Sequence, residues 1–447
     1  MYDLSKEFNK FHNDHVALSS EVQSELYEKK NNNVKWLKAG LKEHNLDNGT
    51  SYKIAEIVIQ GSIAMHTAVQ NDSNDYDIDV AIIMDKSSIG DLGPIAVKNV
   101  VVDALKRKCP AYKDEPEAKT NCVRIYYADG YHIDFAIYRR WKDSAGEYQY
   151  EHAGSEWRQR DPKAINDWFK DSVKSKGSDL RKTVRLLKMF AKSRESWQMP
   201  GGLVLSVLCS ELLSKYDRLD ETFYYTIKGI RDRLRFNRDV TNPADKTKSL
   251  ILTEKHRQEI NNLYSRLDSY IGKLSPLFDN DCTESTARSL WYEFFNHDFW
   301  EKKPVSESLS IMSTQSSLPA VWNNTEEYVE DKFSTVDRYN VHISCLAKGD
   351  GYSVPRPLSY FEKRVPKNLS LTFSVDSCDV PEPYEIWWKI LNVGTEAKRR
   401  NDIRGQIVKG NRKKVERTIF PGPHYAECYI VKNGICVARD RINVPIG

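Results

Sequence analysis

Two aspartates separated by a single residue, Asp77 and Asp79, are the residues whose types and spacing most clearly indicate chemistry in this chain. Acidic and apolar residues alternate from Tyr76 to Val80, so both carboxylates are expected on one face of a β-strand. Two like charges this close repel each other unless a cation lies between them. Carboxylate oxygens are ligands that Mg²⁺ prefers in proteins. The sequence therefore predicts a divalent-metal site on this strand, for Mg²⁺ or Mn²⁺.

Two other features accompany the aspartate pair. An apolar strand pattern at residues 54–60 is followed directly by Gly61-Ser62, and a third acid, Asp134, lies in a strand pattern at residues 132–136. A strand, a Gly-Ser turn, an Asp-x-Asp strand and a later strand with a single Asp form the layout of a polymerase-β-type nucleotidyltransferase. An isolated Asp-x-Asp is commonly a solvated strand edge, but the order and spacing of all these features favour the enzyme.

The chemistry of nucleotidyl transfer explains each of these residues. The reaction needs neutralisation of phosphate charge and an in-line nucleophile, and two metal ions can clamp the attacking and leaving oxygens. Asp77 and Asp79 are predicted to hold both metals. Asp134 is predicted to bind only the metal that activates the acceptor hydroxyl, or to accept that proton itself. Gly61 would let the backbone approach a triphosphate, and Ser62 would donate hydrogen bonds to it; the alternative is an ordinary turn.

Composition limits the class of protein. The chain has 447 residues, enough for two or three domains, and its 40% hydrophobic and 29% charged content is typical of a soluble globular protein. No stretch approaches the ~18 apolar residues that span a membrane, and the first residues lack the features of a signal peptide. Eight scattered cysteines without a Cys-x-x-Cys pattern indicate reduced thiols, not structural zinc. We therefore expect a cytoplasmic protein with no membrane partner.

Periodicity along the chain predicts the domains. The fold class is an α/β (α+β) polymerase-β-like nucleotidyltransferase core at residues 1–160 with a helical second lobe at 161–303 and a C-terminal all-β domain. The Ser-rich composition of residues 304–319 suits a linker. Residues 320–447 contain several strand patterns of period two and an Asn433-Gly434 hairpin signal, which predict a separate sandwich.

These residues together resemble the CD-NTase family, the cGAS-like bacterial synthases of cyclic oligonucleotide second messengers, over about residues 1 to 300. The resemblance implies that Lys188, in the helical run 180–188, grips the donor triphosphate. It also implies that Ser206, which follows Pro200-Gly201-Gly202, contacts the same group. Without the resemblance, Arg185 and Lys188 would be interpreted as the exposed side of an amphipathic helix. The nucleotide-binding residues predicted on this basis are Gln60, Gly61, Ser62, Lys188 and Ser206.

The C-terminal part resembles AGS-C, a sensor domain found behind such synthases. The resemblance rests on the segments 388–397, 403–405, 416–418 and 422–428. Within them, Arg404 offers a cation beside the open backbone of Gly405, and His424 is a polar group between strands. Such a set could bind a nucleotide or its phosphates, and it could equally be a network that stabilises turns.

Positive charge is concentrated near these residues. The segment 395–417 carries nine Lys and Arg against three acidic residues, whereas the whole chain has a net charge of +4. A local basic cluster on a nearly neutral protein suggests a site for a phosphate-bearing ligand, such as a nucleotide or a nucleic acid. The alternative is a solvated, charged loop.

The function predicted from these features is the joining of NTPs, ATP expected among them, into a cyclic di- or trinucleotide. A ribose 3′ or 2′ hydroxyl would attack the α-phosphate of another nucleotide, and pyrophosphate would leave. The resemblance implies that the product signals to a separately encoded effector protein in bacterial anti-phage defence. One alternative is a template-independent transferase acting on RNA ends or another macromolecule, held by the basic cluster. A binding module with an inactive core is disfavoured because all three acids are intact.

Overall fold

The computed structural model of the chain describes residues 1–70, 76–108, 114–301, 325–349, 351–361 and 364–447. Contacts divide the chain into two compact units. The first unit consists of Met1–Ser19, Gln60–Tyr76 and Lys163–Gln315, and the second of Ser20–Ile59, Asp77–Pro162 and Ser316–Gly447. The Ser-rich linker predicted at residues 304–319 lies outside the described residues. None of the described helices is long and apolar enough to cross a membrane.

Helices occur in both units. The α-helices are α1 (Ser5–Phe11), α2 (Ser20–Asn48), α3 (Gly61–Ala64), α4 (Lys86–Ile89), α5 (Pro94–Lys106), α6 (Ala164–Lys176), α7 (Asp179–Lys192), α8 (Gly202–Leu212), α9 (Leu219–Phe236), α10 (Glu254–Lys273), α11 (Glu284–Phe295), α12 (Val329–Lys332) and α13 (Thr395–Arg399). A π-helical turn, His12–Val16, follows α1, and short 3₁₀ segments lie at Ser275–Phe278, Asp298–Trp300 and Leu358–Tyr360.

The first unit is built around an aromatic core. Phe8 of α1 is fully buried and lies 4.7 Å, centroid to centroid, from Trp291 of α11 and 5.2 Å from Trp300. Phe223 of α9 and Phe295 of α11 stack at 5.6 Å in the same cluster. Burial of such large rings is the main source of stability for a helical core. The first residues of the chain therefore pack with the helices that follow residue 163.

Most of the strands lie in the second unit. They are β1 (Ile54–Gln60), β2 (Asp77–Asp85), β3 (Asp114–Ala118), β4 (Val123–Tyr126), β5 (His132–Lys142), β6 (Tyr148–Ala153), β7 (Trp157–Gln159), the two-stranded β8 (Thr241–Asn242) and β9 (Asp245–Ser249) of the first unit, β10 (Ser334–Thr335), β11 (Val341–Gly349), β12 (Tyr352–Pro357), β13 (Ser370–Cys378), β14 (Glu385–Leu391), β15 (Arg404–Gly410), β16 (Lys413–Arg417), β17 (Gly422–Lys432) and β18 (Ile435–Ile446).

The nucleotidyltransferase-like sheet has the strand order β1-β2-β5-β4-β3, and β6 extends it from β5 towards β7. Strands β2 and β5 run parallel, while β4 and β6 each pair antiparallel with β5. The continuous apolar run of β2 from Val80 to Met84 is fully buried. Helices α2 and α5 pack against each other in this unit, where the Gly40 backbone lies so close to Ala104 that a Cβ atom would not fit.

The C-terminal residues form two sheets, which confirms the predicted all-β domain. One sheet has the order β10-β18-β17-β14-β15 and the other β12-β11-β13-β16. Phe373 and Trp388, from different sheets, are both buried in the core, with ring centroids 6.3 Å apart. Asn433 and Gly434, with φ of 52° and 74°, connect β17 to β18. Positive φ at both positions is what a two-residue hairpin turn of this kind requires.

Charged side chains, of which Lys30 and Glu56 are buried, join this sandwich to α2 and β1 within the second unit. Lys30 Nζ lies 2.7 Å from Asp337 Oδ2, and the backbone N–H of Asp337 donates to the carbonyl of Ile57 at 2.9 Å. Arg338 donates to Glu56 Oε1 at 2.8 Å. The guanidinium of Arg439 pairs with Glu330 at 2.7 Å and lies 4.7 Å from the ring of Tyr27. We call these charged residues the ion-pair seam: Lys30, Glu56, Glu330, Asp337, Arg338 and Arg439.

Candidate active site

The three predicted acids lie on two neighbouring parallel strands, β2 and β5. Asp79 of β2 is opposite Asp134 of β5, and Asp77 is opposite His132. Paired residues on adjacent strands point to the same face of a sheet, so the register brings the carboxylates of Asp79 and Asp134 side by side. Ile78 is fully buried between the two exposed or half-buried aspartates of β2, as the alternation predicted. The sheet thus places three acids at one location.

Like charge dominates the electrostatics of this location. Burial, together with the negative charges of Asp77 and Asp134, raises the pKa of Asp79 to about 7, while Arg124 and Arg160 oppose the shift. A carboxylate whose proton is held this strongly is one that a bound cation would stabilise in its charged form. The residue types and their register therefore fit a divalent metal.

Asp134 already has a cationic partner within the protein. Arg124 lies opposite Asp134 in the antiparallel pairing of β4 and β5. Its Nε donates to Oδ1 at 2.7 Å and its Nη2 donates to Oδ2 at 2.6 Å. These hydrogen bonds raise the pKa of Arg124 above its ordinary value. Among the described residues, no group of three His, Cys, Asp or Glu side chains is arranged to hold a metal ion.

The Gly61-Ser62 turn follows β1 as predicted. Gly61 has a φ of 67°, in the left-handed region that favours glycine, and α3 begins at this residue directly after Gln60. The carbonyl of Ser62 accepts a hydrogen bond from the backbone N–H of Thr67 at 2.8 Å. The turn is therefore tight and closed by the backbone. Contact of Gln60, Gly61 or Ser62 with a nucleotide stays a prediction.

Lys188 of α7 lies in the interior of the first unit. Its Nζ donates to the carbonyl oxygen of Thr67 at 3.0 Å and to the Thr67 hydroxyl at 3.1 Å. The interpretation of Arg185 and Lys188 as an exposed helix face is wrong, because both are at least nine-tenths buried. The polar side of α7 packs against neighbouring backbone, and helical periodicity cannot distinguish this arrangement from exposure to solvent.

The Gly201-Gly202 pair has a structural reason. A Cβ atom at Gly202 would lie 2.9 Å from Cε of Lys188, so glycine at this position leaves room for the lysine side chain. Ser206, one turn further along α8, is fully buried, and its hydroxyl donates to the Gly202 carbonyl at 2.8 Å. The predicted contact of Ser206 with a triphosphate would require this hydroxyl to leave its helical partner. Its role stays a prediction.

The two C-terminal candidates lie beside one small cavity. Arg404 donates to Glu416 through both terminal nitrogens, at 2.8 and 3.0 Å. His424 Nδ1 accepts from the backbone N–H of Val393 at 3.1 Å, and its Nε2 donates to the carbonyl of Phe420 at 3.0 Å. Burial lowers the pKa of His424. Both side chains line a cavity of about 50 Å³. Their contacts favour the turn-stabilising network over a preformed anion site.

The basic cluster is partly neutralised by carboxylates. Glu396 accepts hydrogen bonds from two arginines of the cluster, while Glu416 pairs with Arg404 and Lys414, and Glu385 pairs with Lys409. The cluster members with a carboxylate partner are Arg399, Arg400, Arg404, Lys409 and Lys414. Arg417 is exposed and lines the cavity beside Arg404. The charge that this surface offers to a ligand is therefore smaller than the sequence count suggests.

Two segments of the chain each match a known protein family. Residues 55–138 match the family model "Cyclic GMP-AMP synthase DncV-like, nucleotidyltransferase domain". Residues 323–447 match the model "Adenylyl/Guanylyl and SMODS C-terminal sensor domain", named AGS_C. The first match includes Gly61-Ser62, the aspartate pair and Asp134, and the second covers the whole C-terminal sandwich.

Relatives extend the similarity along the chain. A cyclic GMP-AMP synthase from Escherichia albertii is 25% identical over 447 residues, which is 96% of this chain and 92% of that protein. The structure of Vibrio cholerae DncV cyclic AMP-GMP synthase with the linear intermediate 5′ pppA(3′,5′)pG has a TM-score of 0.52 at 18% identity, covering 65% of this chain and 95% of that one. For Escherichia coli MS115-1 CdnC with ATP, the TM-score is 0.51 at 14% identity, covering 66% and 98%.

The fold and the family matches define a nucleotidyltransferase of the polymerase-β type. More specifically, the two matched domains, a DncV-like nucleotidyltransferase domain followed by an AGS-C domain, support a CD-NTase with a C-terminal AGS-C domain. The resemblance inferred from the sequence motifs is confirmed by these matches.

Proposed function

We propose that this enzyme joins NTPs, ATP among them, into a cyclic di- or trinucleotide. The observation that carries the proposal is the register of β2 and β5, which brings Asp79 and Asp134 together beside Asp77. Similarity over nearly the whole chain to a cyclic GMP-AMP synthase supports cyclisation as the outcome. Retention of all three acids supports an active enzyme over a binding module.

In this proposal the three aspartates have different roles in the reaction. Asp77 and Asp79 would hold both divalent metals, Mg²⁺ or Mn²⁺, whose charge would neutralise the phosphates when they are bound. Asp134 would bind only the metal that activates the acceptor hydroxyl, or would itself draw the proton away as that oxygen attacks the α-phosphate. Burial of Ile78 and Val80 fixes the strand that carries the pair, so little reorganisation is needed at the moment of reaction.

Incubation of the purified protein with labelled NTPs and Mg²⁺ or Mn²⁺, followed by phosphatase, tests the proposal. A cyclic product has no terminal phosphate and keeps its label, whereas linear products and unreacted NTPs lose it. We expect phosphatase-resistant label in a small product that mass spectrometry resolves. Label transferred to added RNA, without a resistant small product, would favour the rival end-modifying transferase. That rival is weakened by the carboxylate partners of five basic cluster residues.

Recognition of the product by a separately encoded effector protein, in anti-phage defence, belongs to the same proposal. The cytoplasm, where NTPs are made, is the proposed location. The cysteines in the described part of the chain are free, as a reducing compartment requires. Loss of phage resistance on deleting the gene, and its recovery with the wild-type chain but not with a variant that makes no product, would support this role.

Replacement of Lys188 by methionine is expected to weaken ATP binding by about 1.5–3 kcal/mol, the size of a hydrogen bond to a charged group. The proposal assigns its ammonium group to the donor triphosphate. Isothermal titration with ATP and Ca²⁺ measures the effect without turnover. Lys192→Met is the control, since Lys192 is exposed on the same helix. If both variants bind ATP as the wild type does, Lys188 only anchors Thr67.

A nucleotide or nucleic-acid ligand at the C-terminal domain is tested in the full chain. With Asp77 and Asp79 changed to asparagine to remove catalytic-site metal binding, a short labelled RNA or ATP is titrated at low and high salt. Arg404→Ala is expected to weaken binding, and binding is expected to fall with salt because phosphate contacts release counterions. Glu416→Gln, which frees Arg404, is expected to strengthen it. Unchanged affinity in both variants would assign Arg404 to the turn network alone.

A further inference from the structure

Arg124 and Asp134 form the most complete charge pair at the proposed active site. Both carboxylate oxygens of Asp134 accept from one guanidinium, at 2.7 and 2.6 Å. Paired hydrogen bonds of this geometry are the strongest that Arg makes with a carboxylate. A metal ion that used Asp134 would approach the same two oxygens. Arg124 and the metal therefore compete for one ligand.

The pairing of β4 with β5 fixes the backbone positions of Arg124 and Asp134. Val123 and Ile125, on either side of Arg124, are fully buried and fix β4 against β5. The side chain of Arg124 is 31% exposed, whereas that of Asp134 is 12% exposed. The arginine therefore has a route to solvent, and the carboxylate stays where the sheet places it. The ring of Tyr126, two residues along β4, lies 5.9 Å from the guanidinium and contacts it while it is paired with Asp134.

We infer that Arg124 is a positioning residue that governs metal loading: it neutralises Asp134 in the metal-free enzyme and must leave before Asp134 can hold a divalent metal. The inference rests on the proposed role of Asp134. Asp77 and Asp79 remain as the first metal ligands, while the acceptor-side position opens only when Arg124 moves. Metal binding at this position is thereby weakened. It becomes favourable only when the binding free energy of nucleotide and metal together exceeds the free energy lost with the Arg124–Asp134 ion pair.

Mn²⁺ titration of the full chain without nucleotide tests the inference. Free Mn²⁺ is followed by its electron paramagnetic resonance signal in wild type, Arg124→Gln and Arg124→Lys. We expect Arg124→Gln to bind Mn²⁺ on the order of tenfold more tightly, since removing a charge-assisted pair removes its competition. Arg124→Lys keeps the charge without the two-point contact and is expected to lie between. Arg158→Ala is the control, because Arg158 is an exposed arginine paired with Glu156 at 2.9 Å.

Thermal unfolding supplies a second readout. In EDTA, Arg124→Gln is expected to melt at a lower temperature than the wild type, because Asp134 loses its ion-pair partner and Asp79 loses a nearby positive charge. Mg²⁺ is expected to raise its melting temperature by more than it raises that of the wild type. In an Asp134→Asn background, Arg124→Gln should change Mn²⁺ affinity much less, since the contested ligand is gone and only the longer-range effect of Arg124 on Asp79 remains.

Mn²⁺ binding in folded Arg124→Gln that is no tighter than in the wild type would overturn the inference. If Arg124→Gln does not fold, Arg124→Lys decides the matter by the same titration. Failure of the proposed function is distinguishable, because these measurements need no turnover. A wild type that makes no cyclic product, with tighter Mn²⁺ binding in Arg124→Gln, would overturn the function and leave the inference standing.

Discussion

Changing Asp77 and Asp79 together to asparagine is expected to lower cyclic-product formation on the order of 10³-fold or more, the usual cost of losing a major electrostatic stabiliser of a reaction. Asparagine keeps the size of the side chain and removes both negative charges. The strand should be undisturbed, because the residues that fix it, Ile78 and Val80, are unchanged and fully buried. Loss of product would therefore report loss of metal binding.

Melting temperature without metal separates this effect from misfolding. Removal of two like charges beside Asp134 relieves repulsion, so the double variant is expected to be as stable as the wild type or more stable. The control is Asp91→Asn, an exposed aspartate in the loop before α5, which should leave product formation unchanged. A double variant that forms product at the wild-type rate would show that the aspartate pair does not hold the catalytic metal.

Replacement of Lys30 by methionine is expected to destabilise the second unit by about 3 kcal/mol or more, because a buried carboxylate would lose its partner. Lys30 of α2 is 3% exposed and pairs with Asp337 at 2.7 Å. Burial pushes the pKa of Asp337 upward, but Lys30 and Arg439 overcome this and hold it below the ordinary value. Arg439, 3.7 Å from Asp337, would compensate only part of the loss.

Urea unfolding followed by tryptophan fluorescence and by limited proteolysis measures this effect in the full chain. Lys35→Met, at an exposed position of the same helix, is the control. The double variant Lys30→Met with Asp337→Leu should recover most of the stability, since replacing both partners leaves no uncompensated charge. If Lys30→Met alone unfolds at the wild-type urea concentration, the ion-pair seam does not stabilise the junction between the sandwich and the core.

Local sequence determined much of the fold and the identity of the acids. The alternation of Asp77 and Asp79 with Ile78 and Val80 is a period of two, which only a strand satisfies with one face buried. Gly61 occurs where the backbone needs a positive φ, and Asn433-Gly434 occurs where two strands reverse. Such features depend on neighbouring residues alone, so they can be predicted from a single sequence.

Tertiary structure alone decided which charges meet. Arg124 pairs with Asp134 because of strand register, and Lys30 pairs with Asp337 across 307 positions of the chain. The burial of Lys188 against Thr67 contradicts the exposure that helical periodicity favours. A charged residue on a helix or strand has the same sequence pattern whether it faces water or a buried partner. Because these partners are distant in sequence, only the packing of the elements could identify them.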